Sequence, residues 1–384
     1  MKTTTRRARL AAVLGAAALT AVGCALPEEA AFQSPDTLEI GDGPASLAVG
    51  DVNGDGIPDV VTGDFLSKAG TVSVLLGDGK GSFADPLKSE VGPVPSDVGL
   101  GDFNGDGVPD VAVTNFMLGA VSLAFGDGKG SFTGRVQFDA GKDPNRVLVA
   151  DLDGDGNDDV VTSNYVGGDI SVLMGDGEGG LSEAVKTTVA ATPIRLLAAD
   201  LNEDDVLDLV VGHFGSHDVS ILYGTGRGAF RAPEVLTTAD DPAGLAAVDL
   251  DDDDHLDLVV ANYGSNDVSV FLGDGEGGFG DARRYPVNGG APAGVAVVDL
   301  NGDDYLDIAV ANSATDDVSV LRGDGSGRFS EGTTYKVGDD PRGGLAGFDV
   351  DNDGNTDLVT VNHNSADMTI LLNQGAGGSA RAGR

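Results

Sequence analysis

Apolar residues along this chain come in short runs, not in helical stripes. Residues 47 to 94 show the pattern. Leu47-Ala48-Val49 leads into an acidic stretch, and Asp59-Val60-Val61-Thr62 leaves it. Thr71 to Leu76 then alternates polar and apolar side chains, the period of a strand with one face on a core. A glycine-rich turn, Gly77 to Phe83, follows, and a more polar run near Leu87 to Val91 closes the unit. Beyond the N-terminus no segment carries a helical period. Four short strands in roughly fifty residues, with no helix, make one blade of a β-propeller.

The unit recurs through the chain. Third strands are expected at Val121 to Phe125, Ile170 to Met174, Val219 to Tyr223, Val268 to Leu272, Val318 to Arg322 and Met368 to Leu372. Glycine turns open at Gly126, Gly175, Gly224, Gly273 and Gly323 and end in Phe132, Leu181, Phe230, Phe279 and Phe329. A proline precedes each first strand: Pro44, Pro95, Pro144, Pro193, Pro242, Pro292 and Pro341. Its fixed φ and missing donor suit a connector between sheets. The acidic stretch is the most regular part. It reads DVNGDGIPD from Asp51, DFNGDGVPD from Asp102, DLDGDGNDD from Asp151 and DLNEDDVLD from Asp200. It continues as DLDDDDHLD from Asp249, DLNGDDYLD from Asp299 and DVDNDGNTD from Asp349. The starts lie 51, 49, 49, 49, 50 and 50 residues apart, a period that signals a repeat architecture.

The two ends predict how the ring closes. The last repeat decays after Leu372-Asn373-Gln374 and lacks its Phe and fourth strand. Phe32 stands nineteen residues before Asp51, as Phe83 stands nineteen before Asp102. Phe32 to Ile40 is therefore expected to complete the last sheet and cover an edge that would otherwise invite aggregation. The expected fold is all-β: a seven-bladed β-propeller of four-stranded antiparallel blades over residues 32–374, closed by an N-terminal strand, with 375–384 a disordered tail.

The nine-residue stretch also carries chemistry. Asp or Asn at positions 1, 3, 5 and 9, with a backbone carbonyl at position 7, is the oxygen spacing of a calcium loop. The expected ligands are Asp51, Asn53, Asp55, Ile57 and Asp59; Asp102, Asn104, Asp106, Val108 and Asp110; Asp151, Asp153, Asp155, Asn157 and Asp159; and Asp200, Asn202, Asp204, Val206 and Asp208. The remaining three sets are Asp249, Asp251, Asp253, His255 and Asp257; Asp299, Asn301, Asp303, Tyr305 and Asp307; and Asp349, Asp351, Asp353, Asn355 and Asp357. Up to seven calcium ions are expected. An EF-hand starts similarly but needs Glu at position 12. That position holds Thr62, Val113, Thr162, Val211, Val260, Val310 or Thr360, which excludes it. Loops four to six carry Asp205, Asp254 and Asp304 at position 6, where the others have Gly. The four loops with Gly there are expected to fill first.

Motifs such as DVNGDGIPD, taken with NDVSVFLGDGEGGF from Asn266 to Phe279, resemble the FG-GAP/VCBS repeats of integrin α-subunit propellers and of many secreted bacterial proteins. The resemblance covers residues 32 to 374. It implies a seven-bladed ring with calcium in the first hairpin of each blade, and it implies little about a partner.

Composition narrows the function classes. A net charge of −39 argues against nucleic-acid binding, which relies on Lys and Arg to neutralise phosphate. Residues 1–23 read as a signal peptide, with Lys2, Arg6, Arg7 and Arg9 ahead of the apolar run Leu10 to Val22. They hold four of the 23 bases and none of the 62 acids, so their removal takes the charge from −39 to −43. Thr5-Arg6-Arg7 leaves twin-arginine export open beside the general route. Cys24 is the only cysteine. Ala21-Val22-Gly23-Cys24 reads as a lipobox, which makes Cys24 a lipidation site, residues 24–31 a tether, and the lipid anchor the one route to a membrane. The expected location is the bacterial cell envelope as a lipoprotein, or otherwise secretion.

No catalytic constellation stands out. His213 and His217 lie four apart with Asp218, but they are read as loop residues, not zinc ligands. The connectors after the prolines carry Lys142, Arg146, Arg195 and Arg342 against Asp97 and Asp340. Arg146 and Arg195 are the candidate anion- or partner-binding pair, on the face away from the calcium loops. Phe65, Phe116, Tyr165, Phe214 and Tyr263 lie near them, giving way to Ser313 and His363. The reading that follows is a non-enzymatic, calcium-stabilised surface binding or adhesion module for a protein or glycan. The alternatives are a propeller-scaffold hydrolase acting on polysaccharide or lipid, and a sugar-binding lectin. The absence of Trp and the 5% aromatic content count against sugar stacking.

Overall fold

A computed structural model describes residues 30–375. The expected lipidation site Cys24, the signal peptide, most of the tether and nearly all of the C-terminal tail lie outside these residues. The described chain forms seven four-stranded antiparallel sheets. In six sheets the strands follow chain order from the axis outward, and in the seventh the N-terminal strand takes the outermost place. Blade three is representative: Pro144–Ala150, Asp159–Asn164, Asp169–Leu173 and Val185–Thr188. The one helical element among the described residues is a 3-10 turn, Phe116–Leu118, ended by Gly119 in the left-handed region at φ 65°.

Burial explains this layering. The second and third strands are buried almost throughout, whereas outer strands such as Val185–Thr188 are largely exposed. The core is not inside a blade but between blades. Val61, Val72 and Val74 of blade one pack with Val98, Val111 and Val113 of blade two. Equivalent clusters join each later pair. The seventh joins Met368 and Ile370 of the last blade to Val60 and Leu75 of the first, so the ring is continuous.

The closure is as expected. Asp36–Glu39 pairs with Asp367–Leu371, from Asp36 opposite Ile370 to Glu39 opposite Asp367. Phe32 bridges Asn373, and Ile40 is buried in the cluster joining blades seven and one. The glycine turns also form as expected, with bridges from Gly77 to Phe83 and from Gly273 to Phe279.

Pro44 and Pro341 precede their inner strands as expected, and the other five prolines differ. Pro95, Pro144, Pro193, Pro242 and Pro292 are not connectors but the first residues of the inner strands, each followed at once by a register shift. Proline tolerates the first position of a strand because no ladder donor is required there.

Candidate metal loops and the opposite axial mouth

Each acidic stretch links an inner strand to the second strand, and the glycine turns emerge at the same end. Gly179 N of blade three donates to Phe103 O in the loop of blade two at 2.8 Å. Gly81 N of blade one donates to Val350 O in the loop of blade seven at 3.3 Å. One face of the ring is thus a continuous collar of acidic loops and glycine turns.

Each loop is organised by its own carboxylates. In loop three, Asp151 accepts the amide hydrogens of Gly154, Asp155 and Gly156 at 2.7, 3.2 and 2.9 Å. Asp153 accepts Asp155 N at 3.2 Å, and Asp155 accepts Asn157 N at 2.8 Å. Position 9 ties the loop to the sheet: Asp159 accepts Leu152 N at 2.9 Å and Gly175 N at 2.8 Å. The same position-9 bonds recur in all seven blades, from Asp59 to Asp357. Position 6 takes a left-handed φ whatever its residue: 82° at Gly56, and 63°, 70° and 69° at Asp205, Asp254 and Asp304. Aspartate visits that region more easily than most residues, so loops four to six keep the shape of the others.

The electrostatics suit a hard cation. Burial pushes the position-9 carboxylates up, against the amide hydrogens they accept and helped by the carboxylates at positions 5 and 1 or 3. Asp110, Asp159, Asp257, Asp307 and Asp357 reach about 6. Position 1 differs. At Asp51 burial works upward, but amide hydrogens from Gly56, Gly54, Asp55 and Asn53 hold the carboxyl below its usual value. In the three loops with Asp at position 3, three carboxylates offer oxygens within 4.8 Å of one another. They are Asp151, Asp153 and Asp159; Asp249, Asp251 and Asp257; and Asp349, Asp351 and Asp353. An all-oxygen donor set of this charge fits Ca2+ and not a thiophilic metal. In loop five His255 lies 2.5 Å from Glu203 of the neighbouring loop.

The two histidines read as loop residues separate. His213 ends a strand and is fully buried. His217 is exposed and pairs with Asp240 at 2.8 Å. His213 belongs to a buried polar column that sequence reasoning missed: Asp64, Asn115, Asn164, His213, Asn262, Asn312 and Asn362, each thirteen residues after its loop's first Asp. Each bonds a third-strand hydroxyl, as Asn164 does to Ser171 at 2.9 Å and His213 to Ser220 at 2.8 Å. The constant spacing was the signal that could have revealed it.

The opposite face opens on the axis. A cavity of about 340 Å3 there is lined by the residue following each proline, one from every blade: Ala45, Ser96, Asn145, Ile194, Ala243, Ala293 and Arg342. Arg146, Arg195, Phe65, Phe214, Tyr263 and His363 complete the wall. The predicted arginine pair is therefore brought together, but not on exposed connectors. With the register shifts after Pro144 and Pro193, both arginines stand on the inner strands, where they reach across blades. Arg146 donates to Ile194 O at 3.2 Å and Ala45 O at 3.3 Å, and lies 3.5 Å from Asp97. Arg195 donates to Ala243 O and, at 2.9 Å, to Ala293 O. Burial, with Arg146 close by, pushes Arg195 down to about 9, so it remains protonated at neutral pH. Asp97 also accepts Val147 N at 2.9 Å. Lys142 lies elsewhere, in a lateral groove between blades two and three. The aromatic residues form a broken crown, with His363, Phe65, Phe116 and Tyr165 in successive contact and Phe214 against Tyr263 at 6.2 Å.

Comparison with known proteins agrees with this architecture. The profile described as FG-GAP-like repeat matches residues 102–162, 200–260, 249–310 and 299–360, more than half the chain. A second, FG-GAP repeat, matches 43–75. No curated protein matches. Among solved structures, the periplasmic gluconolactonase of Pseudomonas aeruginosa aligns at 17% identity and TM-score 0.60, over 77% of this chain and 86% of its own. Virginiamycin B lyase from Staphylococcus aureus aligns at 12% and 0.58, over 89% and 99%. An Agrocybe aegerita lectin specific for non-reducing terminal N-acetylglucosamine aligns at 20% and 0.53, over 75% and 79%. These likenesses establish the fold, which enzymes and a lectin share.

Proposed function

Because the chain belongs to the FG-GAP-like repeat family, we propose that it is an exported, calcium-stabilised binding module without enzymatic activity. The observation that carries this reading is the division of labour between the two faces. The loop face is built seven times to one plan, with its carboxylates held by their own backbone. The opposite mouth is where the blades differ: two arginines, a broken aromatic crown and a cavity. Rigid metal loops serve stability, and variable loops on a rigid scaffold serve recognition.

Calcium would be held by the oxygens at positions 1, 3, 5, 7 and 9, and it would neutralise carboxylates that burial and mutual repulsion now disfavour. The partner, a protein or glycan, would dock over the axial mouth. Aromatic and arginine residues are the commonest interface anchors. Export through residues 1–23 and lipidation at Cys24 would hold the ring at the cell envelope.

A hydrolase on the same scaffold is the second reading, favoured only by the lactonase likeness in fold. The calcium-loaded protein should give no turnover on panels of polysaccharides and esters, yet should capture a partner in surface cross-linking. Turnover that a substitution at the mouth abolishes would overturn the binding-module reading.

A further inference from the structure

We propose that the axial cavity binds a small organic monocarboxylate with an apolar or aromatic body. The inference rests on the reading of the mouth as the binding face, not on the calcium loops.

Charge balance is the first argument. Arg342 is neutralised by Asp340, with contacts of 2.6 and 2.7 Å. Among the described residues, Arg146 and Arg195 share Asp97 alone. One cation is left in excess at the mouth of a chain whose net charge is −39.

Hydrogen bonding is the second. A guanidinium has five N–H donors on three nitrogens. Arg146 uses Nε and Nη1 on protein oxygens, and Arg195 uses Nε and Nη2. Among the described residues, Arg146 Nη2 and Arg195 Nη1 meet no acceptor, and both residues line the cavity. A carboxylate has two oxygens suited to two such donors.

The third is the wall. Phe65, Phe214, Tyr263 and His363 surround the polar pair, and a volume of about 340 Å3 lies at the small end of ligand sites. A polyanion would bring further charges within a Debye length of about 8 Å of this acidic surface. A dianion would exceed the single excess cation. A small monoanion avoids both costs.

The test is calorimetric titration of the full, calcium-loaded protein with benzoate, benzamide and benzylamine. Benzoate should bind at least about tenfold more tightly than its neutral isostere, and added salt should weaken it. Asp97→Asn, which keeps an acceptor for Val147 N, should tighten benzoate several-fold. Arg195→Met should abolish binding. Should that variant fail to fold, Tyr263→Ala should still weaken benzoate while the melting temperature holds. Equal binding of all three compounds, or no tightening in Asp97→Asn, would overturn the proposal. Silence toward benzoate would also overturn it and leave the arginines as ties between blades. A protein that captures a macromolecular partner but ignores benzoate refutes this inference alone. Benzoate binding together with hydrolytic turnover refutes the binding-module reading alone.

Discussion

Replacing Asp153, Asp251 and Asp351 together by Asn should move stability in opposite senses with and without calcium. These are the position-3 residues of the three loops whose carboxylates crowd within 4.8 Å. Asparagine occupies the same position in the other four loops, so the backbone tolerates it. The bonds from Asp155 N to Asp153 and from Asp353 N to Asp351, both 3.2 Å, survive in the amide. Only the charge changes. Two like charges 4.8 Å apart repel by about 0.9 kcal/mol in water-like surroundings. Each substitution removes two such pairs. Allowing for screening, the gain in the metal-free protein is about 1 kcal/mol per loop, or about 3 kcal/mol for the triple variant, if the loops act independently. With calcium the same charges attract the ion. A tenfold loss of affinity at one saturated site removes about 1.4 kcal/mol of ligand-linked stability. Melting curves in chelator and in millimolar calcium read both effects. The variant should melt higher than the parent in chelator, and its calcium-induced rise should shrink by several degrees. A lower melting temperature in chelator, or an unchanged calcium-induced rise, would refute the reasoning.

Deleting residues 32–41 removes the strand paired with Asp367–Leu371 and should unfold or oligomerise the protein, read by melting and size exclusion; a stable monomeric variant would contradict the closure. Asp205→Gly relieves a non-glycine residue at φ 63° and should raise stability by about 0.5–1 kcal/mol in chelator denaturation curves. Burial lowers the His213 pKa, against the pull of Asp218 and the Ala191 carbonyl. The unfolded state therefore takes up the proton first, and the His213 contribution to stability falls as pH drops below about 6.5, by at most about 1.4 kcal/mol per pH unit, while the raised position-9 carboxylates pull the other way below about 6. His213→Asn restores the residue found in five sister blades and should remove that acid sensitivity; equal acid profiles for parent and variant would show that His213 does not titrate in this range.

The fold was legible because its signals are local and repeated. Glycine turns, alternating third strands and the nine-residue loops each recur seven times or nearly so, and the displaced Phe32 announced the closure. The loop ligands were legible because their spacing is fixed by one short backbone path. The mouth was less so. Arg146 and Arg195 looked like connector residues because proline usually marks a chain outside the sheet. Both instead stand on the inner strands, with register shifts after Pro144 and Pro193, and a shift of register leaves no trace in composition. His213 looked like a loop residue because it is polar and stands at a strand end. It is buried against the third strand of its own blade, where it meets Ser220, and only the thirteen-residue spacing it shares with Asn164 and the other sister residues marks the position.

The central claim is that the acidic collar is a set of calcium sites that hold the ring together. Equilibrium dialysis of the purified protein against calcium, with bound metal counted per chain, tests it most directly. The account predicts several ions per chain, at most seven, half-saturating at about 0.1–1 mM, with a melting temperature that rises along the same isotherm. A protein that binds no calcium at millimolar concentration and melts identically in chelator would contradict it.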